Sequence, residues 1–235
     1  MVDQGLRRLQ NFSRTVDIGN VTLRMALPEA LTWAQYLLTS RRYLEWGIGG
    51  STAFAAWFLQ QQGSPLISVH SVESSKQWVQ SLPRQSVALH RAIEAKQLVI
   101  HTADLGKVGK WERPAEWFTR DAKLRNDQAS MYSDPRGAAC CFDMVLVDGR
   151  FREACLLQAL RWSHESTVVL LHDFDAKASS EERGYERTVR GWYDQVEQSG
   201  SMAVLRPKQD AVTEAKARSA RFKRALNEVL DNFMR

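Results

Sequence analysis

The stretch Tyr43-Leu44-Glu45-Trp46-Gly47-Ile48-Gly49-Gly50-Ser51-Thr52 decides how this chain is read. Tyr43 to Trp46 is a short, mainly apolar run, the pattern of a buried strand. Gly47 and Gly49 follow at once; neither carries a Cβ, so a ligand can approach the main chain closely there. Ser51 to Gln60 is rich in Ala, Phe, Trp and Leu and predicts a packed helix. Its N-terminus, with unpaired amides and a positive dipole end, would face whatever the turn holds. A nucleotide-like cofactor is the natural occupant.

Four further apolar runs lie downstream, at Leu66–Val72, Leu98–His101, Met144–Val147 and Thr167–Leu171. Their apolarity is continuous rather than alternating, as expected of strands covered by helices on both faces. The segments between them are long enough for crossover helices, which predicts a mostly parallel sheet with its ligand site at the strands' carboxyl ends. Pro28 opens a predicted helix over Glu29–Leu38. Glu181 to Gln198 reads as helical with strand character near its end, and Met202–Leu205 as a strand after the Ser199-Gly200-Ser201 turn. Phe222, Leu226, Val229 and Phe233 recur at helical spacing, an amphipathic terminal helix that docks on its own domain or on a second subunit. The connection from Asp104 to Asp143 exceeds what a crossover needs. With Trp111, Trp117 and Tyr132, it suits either a substrate lid or a decorated loop with a helix at Glu116–Asn126. The chain thus divides into a helical N-terminal extension (1–40), a main domain (41–208) and a basic amphipathic C-terminal helix (209–235).

The composition, 44% hydrophobic and 25% charged over 235 residues, suits one α/β domain with decorations. No apolar run approaches the roughly 18 residues of a membrane span. Met1 to Arg14 lacks the apolar centre of a secretory signal. Three cysteines, two of them adjacent, have neither a disulfide framework's pattern nor zinc-ligand spacing. A reducing cytoplasm is the expected compartment. The net charge of +5 is concentrated at the end: Arg206 to Arg235 carries eight basic against four acidic residues. A solvated helix face accounts for that surplus, and nucleic acid is not the expected partner.

Each strand-like run ends in a polar or glycine residue. The second ends in Ser71-Val72-Glu73, the third in Thr102-Ala103-Asp104, the fourth in Val147-Asp148-Gly149 and the fifth in His172-Asp173. Glu73, placed 26 residues past Gly47, is suited to accept hydrogen bonds from both hydroxyls of a ribose. Two cofactors satisfy a glycine turn followed by an acidic strand end: a dinucleotide and S-adenosylmethionine. The dinucleotide fingerprint places glycine where this chain has Thr52, which counts against NAD.

On Glu45-Trp46-Gly47-Ile48-Gly49-Gly50-Ser51-Thr52, Val72-Glu73-Ser74, Asp143 to Gly149 and Leu171-His172-Asp173, the chain resembles the class I S-adenosylmethionine-dependent methyltransferases. It is similar over roughly residues 28–207, above all to small bacterial-type members of uncharacterised substrate. The resemblance implies a Rossmann-like α/β fold with a seven-stranded, mostly parallel sheet and helices on both faces. It places Glu45, Gly47, Gly49 and Ser51 around the methionine part of the cofactor. Glu73 would hold the ribose, Asp104 would lie by the adenine, and Asp148 would border the same pocket. The family's closing antiparallel hairpin falls on Thr188–Tyr193 and Met202–Leu205.

Methyl transfer requires a positioned nucleophile and, where that nucleophile is protonated, a base. His172, Asp148 and Asp173 are the candidates, with His172 attractive because imidazole titrates near neutrality. Asp148 and Asp173 also resemble the carboxylates that hold a divalent cation in catechol-type O-methyltransferases. Those enzymes carry Asp-Asn where this chain has His172-Asp173, which places a metal in doubt. Arg150 and Arg152 stand where guanidinium groups fix a carboxylate or phosphate, or else pair with Asp175 or Glu153. The expected activity is methyl transfer to an oxygen or nitrogen of a small-molecule acceptor. A non-catalytic S-adenosylmethionine-binding module and an NAD-dependent oxidoreductase are the rival readings.

Overall fold

The computed structural model describes residues 22–105, 122–135, 138, 140–174 and 182–232. Chain order is α1 (Leu27–Leu37), β1 (Arg42–Trp46), α2 (Gly50–Leu59), β2 (Ser68–Glu73), α3 (Lys76–Gln85), α4 (Val87–Glu94) and β3 (Leu98–Thr102). It continues with α5 (Ala122–Ser133), β4 (Phe142–Val147), α6 (Arg152–Ala159), β5 (Ser163–Leu171), α7 (Glu182–Trp192), β6 (Tyr193–Ser199), β7 (Met202–Pro207), α8 (Gln209–Lys216) and α9 (Ala220–Asn232). All five apolar runs are strands.

The seven strands form one sheet in the order β3-β2-β1-β4-β5-β7-β6. The β1–β2, β2–β3, β1–β4 and β4–β5 pairs are parallel, and β7 runs antiparallel to both β5 and β6. Alternate residues of each strand enter opposite cores. Leu44, Trp46, Val145, Val147, Val169 and Leu171 pack with α5, α6 and α9 on one face. Tyr43, Met144, Leu146, Val168 and Leu170 pack with α1, α2 and α4 on the other. Helix cover on both sides explains why these strands read as unbroken apolar runs.

The chain moves outward from β1 to β3 and then returns to lay β4 on the other side of β1. At such a switch the connections leave in opposite directions and open a crevice at the carboxyl ends. Two glycines meet there. Gly47 has φ +95°, and a Cβ on it would lie 3.1 Å from the Asp148 carbonyl and the Gly149 Cα. A Cβ on Gly149 would fall 2.9 Å from the Gly47 nitrogen and 2.1 Å from the Tyr132 hydroxyl. Main chain packs on main chain, so no side chain fits between.

Two boundaries differ from expectation. Thr188–Trp192 belongs to α7 rather than to the hairpin, because Val189 and Trp192 bury at helical spacing, and β6 starts only at Tyr193. β6 is a largely exposed edge strand of polar sequence and carries no apolar signature. The C-terminal segment is two helices: the chain breaks at Arg218, φ +50°, and the Ser219 hydroxyl then accepts the Phe222 amide to start α9. Phe222, Val229 and Leu230 are buried in the domain's own core, so the apolar stripe docks within the chain. Cys140 and Cys141 are bonded to each other, a link between neighbours that ties no distant elements together. Half of the Asp104–Asp143 connection, with Trp111 and Trp117, lies outside the described residues, as do Glu116–Asp121 of the expected helix, Asp175 and Phe233. No described helix is long and apolar enough to cross a membrane.

Truncating Phe222 to Ala removes a buried aromatic ring that meets Trp192 edge to face, centroids 6.0 Å apart. It is expected to destabilise the fold by about 3 kcal/mol in urea unfolding; a loss below about 0.5 kcal/mol would show that α9 is not part of the cooperative core.

Candidate active site

A cleft of about 760 Å³ opens at the carboxyl ends of β1, β2, β4 and β5. That size suits a small-molecule or cofactor site. A smaller hollow of about 230 Å³ lies between α7 and α9, away from the strand ends, where Arg221 is tied to Glu214 and stacked on Trp192.

The floor of the cleft is the glycine turn. Gly47 and Ile48 line it, and above Gly49 nothing lies within 4 Å of a hypothetical Cβ. The Gly49 amide donates to the Thr52 hydroxyl at 2.9 Å, which fastens the turn to α2. Trp78, in the first turn of α3, donates its indole N–H to the Ile48 carbonyl at 2.9 Å and forms part of the wall.

Glu73 stands beside this turn. One carboxylate oxygen accepts the amides of Ser74 and Ser75 at 2.5 and 2.9 Å, and the other accepts the Ile48 amide at 3.4 Å. The carboxylate therefore bridges the end of β2 and the glycine bend within the cleft. Arg150, next along the wall, directs its Nε to the Ser74 hydroxyl at 2.9 Å.

Glu45 and Asp104 are placed differently from their expected positions. Glu45 is fully buried and off the cleft wall; it accepts hydroxyl hydrogen bonds from Ser71, Ser51 and Tyr43 at 2.7, 2.8 and 2.9 Å. Burial pushes its carboxyl pKa up, opposed by the hydroxyl donors around it. Its alternate position on β1 points it into the core, where it anchors Ser51 at the start of α2. Ser51 itself does line the cleft. Asp104 lies past the end of β3, off the described wall, exposed and ion-paired with Lys76 at 2.5 Å.

On the β4–β5 side the three expected groups come together in a charged chain. His172 Nδ1 is 2.8 Å from Asp148 Oδ1, and His172 Nε2 is 3.2 Å from Glu29 Oε2 of α1. Glu29 also accepts the Ala26 amide, the Ser201 amide and the Ser201 hydroxyl, each at 2.8 Å. Burial works to raise the Glu29 pKa, yet the Ser201, Ala26 and His172 donors hold it down at about 2. Burial works to lower that of His172, but Asp148, Asp173 and Glu29 outweigh it and raise the value to about 9. The ring is clamped between carboxylates that favour its charged form. As a general base, His172 would first have to give up the proton that both carboxylates favour.

Arg152 completes the chain. Its guanidinium reaches Asp148 at 3.2 Å, Asp173 at 2.9 Å and the His172 carbonyl at 2.5 Å. Asp148, His172 and Asp173 offer ligand atoms within 4.8 Å of one another. Arg152 pairs with both aspartates, so a divalent cation there would compete with its guanidinium. Asp173 and Phe151 both adopt positive φ, 53° and 49°, at corners bordering the cleft. Non-glycine residues enter that region at a cost, and such corners cluster at functional sites.

Sequence reasoning missed the contributions of Glu29, Trp78 and the segment Thr22–Met25, which forms one wall. Trp78 left a weak signal, an indole in the first turn after the acidic strand end. Glu29 left none, since its partner His172 is 143 residues away.

No family model and no curated protein matches the sequence. Among solved structures, the chain is similar to a methyltransferase-like protein from Silicibacter pomeroyi at 22% identity, over 88% of this chain and 97% of that one, with a TM-score of 0.61. It is also similar to an O-methyltransferase candidate from Klebsiella pneumoniae at 12% identity, over 88% and 89%, with a TM-score of 0.50. At such identities the likeness is one of fold: the chain has the class I methyltransferase fold over most of its length.

Because the folded state raises the His172 pKa, its stabilisation is complete below pH 6.5 and is lost as pH rises through about 9. Urea stability of the wild type is expected to decline across that interval, and His172→Gln to remove most of the decline. Identical slopes for the two proteins would contradict the clamp.

Proposed function

We propose that this chain is an S-adenosylmethionine-dependent methyltransferase acting on an oxygen or nitrogen of a small-molecule acceptor. The supporting observation is the Glu73 carboxylate set against the glycine turn, 3.4 Å from the Ile48 amide, inside the strand-end cleft. When bound, the cofactor supplies a methyl group made electrophilic by its sulfonium. Gly47 and Gly49 leave the main chain bare for its amino-acid portion, and Ser51 begins the helix behind it. Glu73 would accept its ribose hydroxyls. Trp78 offers an aromatic face on the same wall. Asp148, fixed by His172 and Arg152, borders the side from which an acceptor would enter. The dinucleotide alternative loses support from Thr52, whose buried hydroxyl holds the turn where that fingerprint needs glycine.

Titration calorimetry with S-adenosylhomocysteine should give saturable binding, and NAD none. Glu73→Gln should weaken it by about tenfold or more, since hydrogen bonds to a charged acceptor are worth about 1.5–3 kcal/mol. Binding of NAD alone would overturn the assignment.

A further inference from the structure

The segment before α1 is pinned on both sides of one cationic side chain. Gly50 gives it room: a Cβ there would come 2.5 Å from the Leu23 Cα and 2.6 Å from the Thr22 carbonyl oxygen, so main chain lies on main chain at the start of α2. Further along, Glu29 accepts the Ala26 amide at 2.8 Å, and Glu29 is itself held by Ser201 and His172. Leu23 and Met25 pack against the core that α1, α2 and α4 cover. Arg24, between them, is exposed and lines the cleft with Gly47, Gly49 and Ser51. Backbone fixed in this way has already lost freedom that binding would otherwise cost.

Among the described residues, three arginines line the cleft, and two are engaged. Arg152 is paired with Asp148 and Asp173, and Arg150 directs its Nε to the Ser74 hydroxyl, next to Glu73. Arg24 makes no hydrogen bond or ion pair with any described residue. The amino-acid portion of S-adenosylmethionine carries an α-carboxylate, and a carboxylate moved from water into a cleft needs a compensating cation or donors. A guanidinium offers two N–H groups in the geometry of a carboxylate's two oxygens. The cofactor placement proposed above sets that portion over Gly47 and Gly49, on the wall that Arg24 shares.

Resting on that placement, we infer that Arg24 is a specificity-determining residue of the cofactor site. Its guanidinium pairs with the cofactor's α-carboxylate, so the segment before α1 selects adenosyl compounds that carry an intact amino acid over those that lack the carboxylate. The pinned segment supplies the position and Arg24 the charge. Glu73 reads the ribose, which both kinds of compound share, and does not distinguish them.

Titration calorimetry on the full-length protein tests this with two ligands, S-adenosylhomocysteine and its decarboxylated analogue, which keeps the amine and lacks the carboxylate. Wild type should bind S-adenosylhomocysteine about fivefold or more tightly than the analogue. Arg24→Gln should remove that preference by weakening S-adenosylhomocysteine alone. Glu73→Gln should weaken both ligands by the same factor and leave the preference intact. A loss of both ligands alike in Arg24→Gln would mean that Arg24 only supports the segment, and a preference that survives the substitution would mean that other groups hold the carboxylate. Either result, or equal binding of the two ligands by wild type, would overturn the role of Arg24 and leave the methyl-transfer reading standing. Failure of both ligands to bind wild type would overturn both.

Discussion

Gly47 and Gly149 approach so closely that each occupies the space the other's side chain would need. That approach sits where the sheet changes direction between β1 and β4, and it governs what can be built there. With no side chain at either position, the turn after β1 presents bare peptide at the base of a cleft. The walls then come from elements that converge on the same point: Glu73 from β2, Trp78 from α3, and Asp148, His172 and Asp173 from β4 and β5. A Cβ at either glycine would push the two strand ends apart and move every one of these groups.

The second organising feature is electrostatic. Five charged groups, Glu29, His172, Asp148, Arg152 and Asp173, alternate in sign from the interior of α1 to the mouth of the cleft. Buried charges are tolerated only when paired and hydrogen-bonded, and each member here supplies its neighbour's partner. The chain also fixes the N-terminal helix to the β6–β7 turn through Ser201, so the segment before α1 is held against the glycine turn. The residues that looked catalytic from their types are, in place, paired with one another, and three carboxylates against two cations leave an excess negative charge at the exposed Asp173 end.

The strands were legible because burial on both faces leaves an unbroken apolar run, and Tyr43–Trp46 or Met144–Val147 need no partner to be recognised. β6 showed only as strand character near the end of Glu181–Gln198, without bounds, since an exposed edge strand such as Asp194 to Gln198 has no face to bury. Within the site, Glu73 followed from its distance along the chain to Gly47, a spacing that one crossover helix imposes. Glu45 has the right type beside the right turn, but strand alternation turns it away from the cleft. His172 has the residue type of a base, but its surroundings favour its charged form, and Glu29, which helps set them, lies on an element remote in sequence. Local pattern carries strand ends; it does not carry the charge environment assembled there by distant helices.

The account rests on the carboxylate of Glu73 meeting a nucleoside against the glycine bend. A crystal structure with S-adenosylhomocysteine tests this most directly. Both ribose hydroxyls should lie within hydrogen-bonding distance of the Glu73 oxygens, with the amino-acid portion over Gly47 and Gly49. A nucleoside bound elsewhere, or a Glu73 side chain turned away from the sugar, would contradict it.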